Sequence, residues 1–525
     1  MDRVAVIGSG LAGVTAAKTL VSMGIKPVVL DWGDTAPGHI EQHINSMMCV
    51  EPNAWLSTDR NFMESLLADS VRQPILKKTF FGSDFFYAKE DSFEPTKHKN
   101  VLRPPTSLAY GGLANGWGGA VLPVHDCDLV DWPIPLSALA PYYRDVLAQL
   151  PFSAAFDSLD SDFPLYAAPL DTLALTQGNK ILLDKLRKNA HYLKERGAVF
   201  GQARLLTWTH NQEQFQGCKY CGYCMIGCVY DSIYKPDQEL NRLLAQGAVD
   251  YQSHVFVESL VEEDNTVSVL YRDKTNCFGK LKFSRVFLAA GAIGSPCIIL
   301  RSKNLYDYPI EILTTNHFVV PLLSKRGYAY EWPNINTQPG LFLEYKIAAL
   351  SQHWVHAQIS TPNELALEKL GLVKKNRSFW RNWKRKFASH LYLAACNMHS
   401  DHAVRYQLEL TTNNFLQSQV VNHSNAVQAQ KVAQKKLALL VKAVDCYALP
   451  QVLSVQSFHL GGGLPMRKIP IKPIDTDMQG RPKNWRLVHV IDSSVFPSIP
   501  GTTIGLTIMA NAMRIVKSSM REEVQ

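Results

Sequence analysis

The chain has 525 residues, 46% of them hydrophobic, more than one compact core accommodates, so two or three domains are expected. A net charge of +8, from 54 basic and 46 acidic residues, is too mild to suggest a nucleic-acid-binding protein. No apolar run reaches the roughly 18 residues of a membrane-spanning helix, and no leader-like segment precedes the first strand, so a cytoplasmic protein is expected.

Val4-Ala5-Val6-Ile7 is a continuous apolar run, as a buried parallel strand requires. Gly8-Ser9-Gly10-Leu11-Ala12-Gly13 follows, then a helical pattern from Val14 to Met23 with Gly24 as its stop. Val28, Val29 and Leu30 predict a second strand, which Asp31 ends. The glycines have separate tasks. Gly8 permits a tight turn, Gly10 leaves room for a pyrophosphate, and Gly13 lets the helix approach the strand. The free N–H groups where the helix opens, at Leu11 and Ala12, hold phosphate oxygens. Asp31, 18 residues after Gly13, can accept hydrogen bonds from adenosine ribose hydroxyls. The fingerprint predicts a dinucleotide and leaves FAD and NAD both open.

Further along, Arg103–Gly119 contains AYGGLANGWGG, followed by Trp132-Pro133-Ile134 and Pro141-Tyr142-Tyr143. Cys218, Cys221, Cys224 and Cys228 have the ligand spacing of bacterial ferredoxins, with Val229 where a proline usually follows. Soft thiolates at this density suit an iron–sulfur cluster or zinc, and metal-free thiols in a tight loop are the third alternative. Cys49, Cys127, Cys277, Cys297, Cys396 and Cys446 are isolated and read as packing residues. Val255–Val257 reads as strand, and Phe287–Pro296, FLAAGAIGSP, as a strand and turn. The runs LFLEYKI (341–347) and HWVHAQIS (353–360) alternate as antiparallel strands do, and a helix is predicted over 425–446.

Between them, a helix over 372–391 would place Trp380, Trp383, Phe387 and Leu391 on one face among Lys374, Lys375, Arg377, Arg381, Lys384, Arg385 and Lys386. That pattern suits peripheral contact with anionic lipid, or equally an amphipathic helix packed on its own protein. Ser457–Met466 reads SFHLGGGLPM. The chain then runs through RLVHVIDSSVFPSIP (486–500) into GTTIGLTIMANAMRIVKSS: a strand, an Asp-Ser-Ser turn, a proline-rich loop and a helix.

Taken in order, these segments resemble the glucose–methanol–choline oxidoreductase family over nearly the whole chain. The resemblance implies an α/β protein, with a Rossmann-like FAD-binding domain and an inserted α+β substrate domain built on an antiparallel sheet. The division it suggests is 1–45, 95–130, 195–300 and 452–525 for the FAD-binding domain, with 46–94, 131–194 and 301–451 for the substrate domain. Gly111, Gly112, Asn115, Ala290 and Asp492 would surround the flavin half, the backbone at Val257 would meet the adenine, and Thr502 and Thr503 would face the ring or the substrate.

The implied reaction is oxidation of an alcohol group, on a sugar, polyol or glycoside-like substrate, by hydride transfer to flavin N5. His459 would be the base, since an imidazole titrates near neutrality. The family usually places a second His or Asn where this chain has Thr503, which can orient a substrate oxygen but is no base. The cysteine segment resembles that of membrane-linked sugar dehydrogenases, where three cysteines at the positions of Cys218, Cys224 and Cys228 ligate a three-iron cluster. A 3Fe-4S or 4Fe-4S cluster implies electrons leaving toward a quinone, a cytochrome or a small subunit, and not toward O2. The departure at Thr503 keeps two alternatives open: a flavin-dependent isomerase, and a redox-inactive flavoprotein or electron-relay subunit.

Overall fold

The computed structural model describes residues 3–71, 79–88, 104–212, 214–331, 333–363, 367, 381–450 and 452–521. The apolar run Val4–Ile7 is the middle strand of a five-stranded sheet, flanked by Val28–Leu30 and Arg285–Leu288. Asp250–Gln252 and Val488–Val490 complete the edges, and every pairing is parallel. The two ends of the chain therefore meet in one sheet, joined through Arg285–Leu288. The helix Leu11–Ser22 packs against the last helix, Gly505–Arg521. Gly24 ends the first helix as expected. It sits at φ +79, where its N–H reaches Val21 O and the N–H of Ile25 reaches Leu20 O, closing a Schellman motif.

The second large sheet is antiparallel. Its order is Cys446–Ala448, Asn316–Ser324, Leu391–Met398, Ser351–Ser360, Leu341–Ile347 and Ala198–Gln202, with Leu453–Ser454 beside Asn316–Ser324. The two alternating runs predicted as strands are neighbours in it. Ala198–Gln202, which the expected division assigns to the FAD-binding domain, is its edge strand.

Side chains alternate across this sheet as the pleat requires. Phe318, Val320, Ala357, Ile359, Ala394 and Cys396 face the helix His423–Lys442, against its Ala433 and Leu437. The intervening residues His317, Val319, Gln358, Ser360, Ala395 and Asn397 line a cavity on the opposite face. A one-residue slip in register would exchange the two sets, so the buried apolar layer is what fixes the polar one.

Three expectations change. The helix predicted over 425–446 ends at Lys442. Asp445 takes a left-handed φ of 55°, and the chain enters a strand at Cys446. In the 372–391 segment, 372–380 lies outside the described residues. The helix Arg381–Ala388 stops before Leu391, which is fully buried at the start of a strand. Phe387 and Leu391 pack with Leu367 and Ala388, so these two side chains face protein, as the packed-helix alternative has it. Lastly, Cys297, Cys396 and Cys446 are buried, whereas Cys49 and Cys277 are exposed and do not serve packing. Among the described residues no helix is long and apolar enough to cross a membrane.

Candidate functional site

A cavity of about 550 Å³ lies where the parallel sheet, the antiparallel sheet and the chain's C-terminal loop meet. Gly8, Gly10, Leu11, Ala12, Asp31, Gly112, Val257, Ala290, Asp492, His459 and Thr503 all border it, so most of the expected site residues converge on one space. Three helices open at its wall, starting at Leu11, Gly291 and Gly505. At Gly291 the Asp492 carboxylate already takes the first N–H, and the free N–H groups and positive dipole ends at Leu11 and Gly505 make the wall favourable to an anion.

The glycine turn behaves as its spacing implies. Gly8 has φ +101, and a Cβ there would meet the Ala289 carbonyl oxygen at 2.4 Å. A Cβ on Gly13 would lie 1.9 Å from the Gly8 carbonyl oxygen, so Gly13 serves helix–strand contact and does not border the cavity. Gly10 is different: a Cβ there would meet nothing within 4 Å, because the space in front of it is the cavity. Gly111 and Asn115 brace the adjoining loop. The N–H of Gly111 donates to Ser9 Oγ at 2.9 Å, and Asn115 Nδ2 donates to the carbonyls of Tyr110 and Gly112 at 2.8 Å each.

Asp31 ends its strand with a carboxylate that accepts from the Ser9 hydroxyl and, at 3.3 Å, from Tyr251. Burial pushes its pKa from 3.8 up to about 7, against the lowering effect of those hydrogen bonds. The folded chain therefore keeps this proton to higher pH than the unfolded chain does. Stability of the nucleotide-free protein should fall as pH rises from about 4 to about 7 and level off above. Asp31→Asn is expected to flatten that slope in melting curves taken across the window; a variant as pH-dependent as wild type would contradict the assignment.

Asp492 is held from both sides. One oxygen accepts from Gly291 N–H at 2.8 Å and Ser295 Oγ at 2.6 Å, the other from Ser494 N–H at 2.9 Å and Ser494 Oγ at 2.5 Å. Burial raises its pKa, and these bonds oppose the rise. With four protein donors it ties the last parallel strand to the helix Gly291–Ser302 at the cavity wall.

His459 is placed by the two-residue strand Leu460–Gly461, which pairs with Leu313 and Thr314. The following glycines permit contacts within the chain. A Cβ on Gly461 would meet the Ser493 carbonyl oxygen at 2.2 Å, and one on Gly463 would meet Pro296 at 2.7 Å. His459 and Thr503 both border the cavity, and Thr502 precedes Thr503 in its loop. Both threonines are buried, and neither hydroxyl has a hydrogen-bond partner among the described residues. Sequence reasoning missed the opposite wall: His317, Gln358, Ser360 and Asn397, from three strands of the antiparallel sheet. Their only signal was polar residues at every second position of otherwise apolar strands.

The four cysteines line one small pocket with Asn336 and Gln338, and Cys224 also borders the large cavity. Burial pushes the thiol of Cys218 up to about 12 and that of Cys228 up to about 11, and raises Cys221 as well; neighbouring cysteines add to each shift. No three of these sulfurs lie within 4.8 Å of one another. The group that does is His353, His399 and Asp401, on the side of the sheet near the Ile499–Thr503 loop. The cysteines therefore show no clear cluster arrangement.

No protein-family model matches the chain, and no curated protein matches it by sequence. Among solved structures, its fold is similar to that of pyridoxine 4-oxidase from Mesorbium loti, at 12% sequence identity and a TM-score of 0.56, with 99% of each chain covered.

Proposed function

We propose that the chain is an FAD-dependent oxidoreductase of the glucose–methanol–choline type that oxidises an alcohol. The observation that carries this reading is the single cavity bordered by the glycine turn, the start of the last helix, His459 and Thr503. The residues present fit the dinucleotide. Gly10 leaves open space, Asp31 offers a carboxylate, the helix ends at Leu11 and Gly505 open on the cavity, and the Thr503 hydroxyl is buried without a partner among the described residues. A structural neighbour named as an oxidase of pyridoxine, a small hydroxylated compound, is in keeping with it.

When bound, the flavin supplies a two-electron acceptor for a hydride. The chain supplies the rest. Gly8, Gly10, Leu11 and Ala12 receive the pyrophosphate, and Asp31 receives the ribose. Val257 would meet the adenine, and Gly112, Ala290 and Asp492 would border the flavin half. His459 takes the proton of the substrate hydroxyl, and the Thr503 hydroxyl orients that oxygen. Anaerobic mixing with an alcohol panel tests the reading: at least one member should bleach the flavin bands, and bands unchanged by every member would refute it.

Cys218, Cys221, Cys224 and Cys228 are proposed to hold an iron–sulfur cluster that passes electrons on to an acceptor other than O2. Support comes from the ferredoxin-like spacing, the shared pocket and the position of Cys224 on both pockets. Anaerobically purified protein should contain iron and acid-labile sulfide, and Cys224→Ser should lose most of both; wild type free of iron would rule the cluster out.

A further inference from the structure

The cavity wall made by the antiparallel sheet carries polar groups that nothing so far uses. Asn397 is only 4% exposed and stands on a central strand, and its backbone oxygen lies 3.0 Å from where a Cβ on Gly501 would sit, two residues before Thr503. Its carbonyl oxygen Oδ1 accepts from Thr315 Oγ1 at 3.3 Å. Thr315 Oγ1 is in turn 2.8 Å from Ser457 Oγ, which accepts from the backbone N–H of His459 at 3.1 Å. Ser457 Oγ also lies 3.5 Å from the His459 carbonyl oxygen, but Thr315 Oγ1 is nearer, and with the Ser457 proton given to Thr315 one set of directions satisfies the chain. His459 N–H gives to Ser457, Ser457 O–H to Thr315, and Thr315 O–H to Asn397. With Oδ1 so engaged, the amide of Asn397 is fixed with its NH2 group as the group left for the cavity. That NH2 has no partner among the described residues.

Gln358 is fixed by a second chain. Glu344 Oε1 is 2.6 Å from His356 Nδ1, and both residues are fully buried. With Nδ1–H given to Glu344, the other ring nitrogen, Nε2, lies 3.1 Å from Gln358 Nε2 and accepts its N–H. The carbonyl oxygen and second N–H of Gln358 then remain for the cavity. Asn397 pairs with His356 across the sheet, so Gln358 is its diagonal neighbour on the same face. Ser360, next along that face, adds a hydroxyl to the cavity wall, and Thr503 adds one without a partner among the described residues.

One substrate hydroxyl has one donor and two acceptor sites and cannot satisfy all of these. Left unpaired when a substrate displaces water from them, they disfavour one with a single polar group. We infer that Asn397 and Gln358 form an oriented amide wall for a polyhydroxylated substrate. Asn397 donates to the oxygen being oxidised, alongside Thr503, and Gln358 engages a neighbouring hydroxyl. Thr315 is a positioning residue that couples Asn397 to His459. This deepens, and rests on, the alcohol-oxidising reading.

The test uses the flavin-loaded full chain, mixed anaerobically with myo-inositol, sorbitol and glucose, and with cyclohexanol and 1-hexanol. In wild type the polyols should bleach the flavin at least roughly tenfold more efficiently than the monohydric alcohols. Asn397→Ala should slow bleaching at saturation by roughly a hundredfold, as removing a donor at a reacting oxygen does. Gln358→Ala should raise the half-saturating polyol concentration about tenfold with little change at saturation. Thr315→Val should behave like Asn397→Ala, and Thr315→Ser should restore the wild-type rate. Faster bleaching by the monohydric alcohols, or an Asn397→Ala rate equal to wild type, would overturn the amide wall. Absence of bleaching by any alcohol would instead sink the alcohol-oxidising reading on which the wall rests.

Discussion

His459→Ala is expected to lose catalysis while keeping its flavin. A positioned general base contributes roughly a factor of 10² to 10⁴, so kcat should fall by that much, equivalent to about 3–5 kcal/mol in the barrier. The fold should survive. The backbone N–H of His459, not its ring, makes the bond to Ser457, and the flanking glycines make the close contacts with Ser493 and Pro296. Flavin content per chain should therefore match wild type, and small imidazoles added to the medium should restore part of the rate. The check is single-turnover flavin reduction under anaerobic conditions. A variant that reduces its flavin at the wild-type rate would remove His459 from the mechanism, and one that purifies without flavin would make its role structural.

The second large effect separates glycines that serve the fold from the one that serves the ligand. Gly13→Ala drives a methyl group to within 1.9 Å of the Gly8 carbonyl oxygen, which is backbone and cannot swing away. The helix must retreat from the first strand, and overpacking of this kind costs about 1–3 kcal/mol or more. Gly13→Ala should lower the melting temperature even of the nucleotide-free protein. Gly10→Ala adds the same methyl group where, among the described residues beyond its two chain neighbours, nothing lies within 4 Å, at an ordinary φ of −72°. The nucleotide-free variant should melt with wild type. Its affinity for FAD should nevertheless fall by roughly ten- to a hundredfold for each phosphate hydrogen bond displaced, since bonds to charged groups contribute about 1.5–3 kcal/mol. Titration of both variants with FAD, beside their melting curves, distinguishes the two roles. Equal losses of stability, or undiminished binding by Gly10→Ala, would contradict the assignment.

What was legible in the sequence was local. The strand, turn and helix of residues 4 to 30 depend on neighbours a few positions away, and so does the Asp492 turn with its Ser494 bonds. Legible too was the alternation that makes Leu341–Ile347 and Ser351–Ser360 strands. Register was not. Asn397, Gln358 and His317 face one cavity because three strands far apart in sequence are aligned by the apolar layer beneath them, and no motif marks that alignment. The chain of bonds from His459 to Asn397 likewise passes through Thr315 and Ser457, 142 residues apart. Boundaries failed where a single residue decided them, as at Asp445, whose left-handed backbone ends a helix that periodicity alone would continue.

The most direct test of the account is what the natively purified chain carries. FAD should be present at about one per chain, released as intact FAD on denaturation, and taken up again by protein from which it has been stripped. A colourless chain that does not take up FAD would contradict the claim that its two ends enclose a flavin.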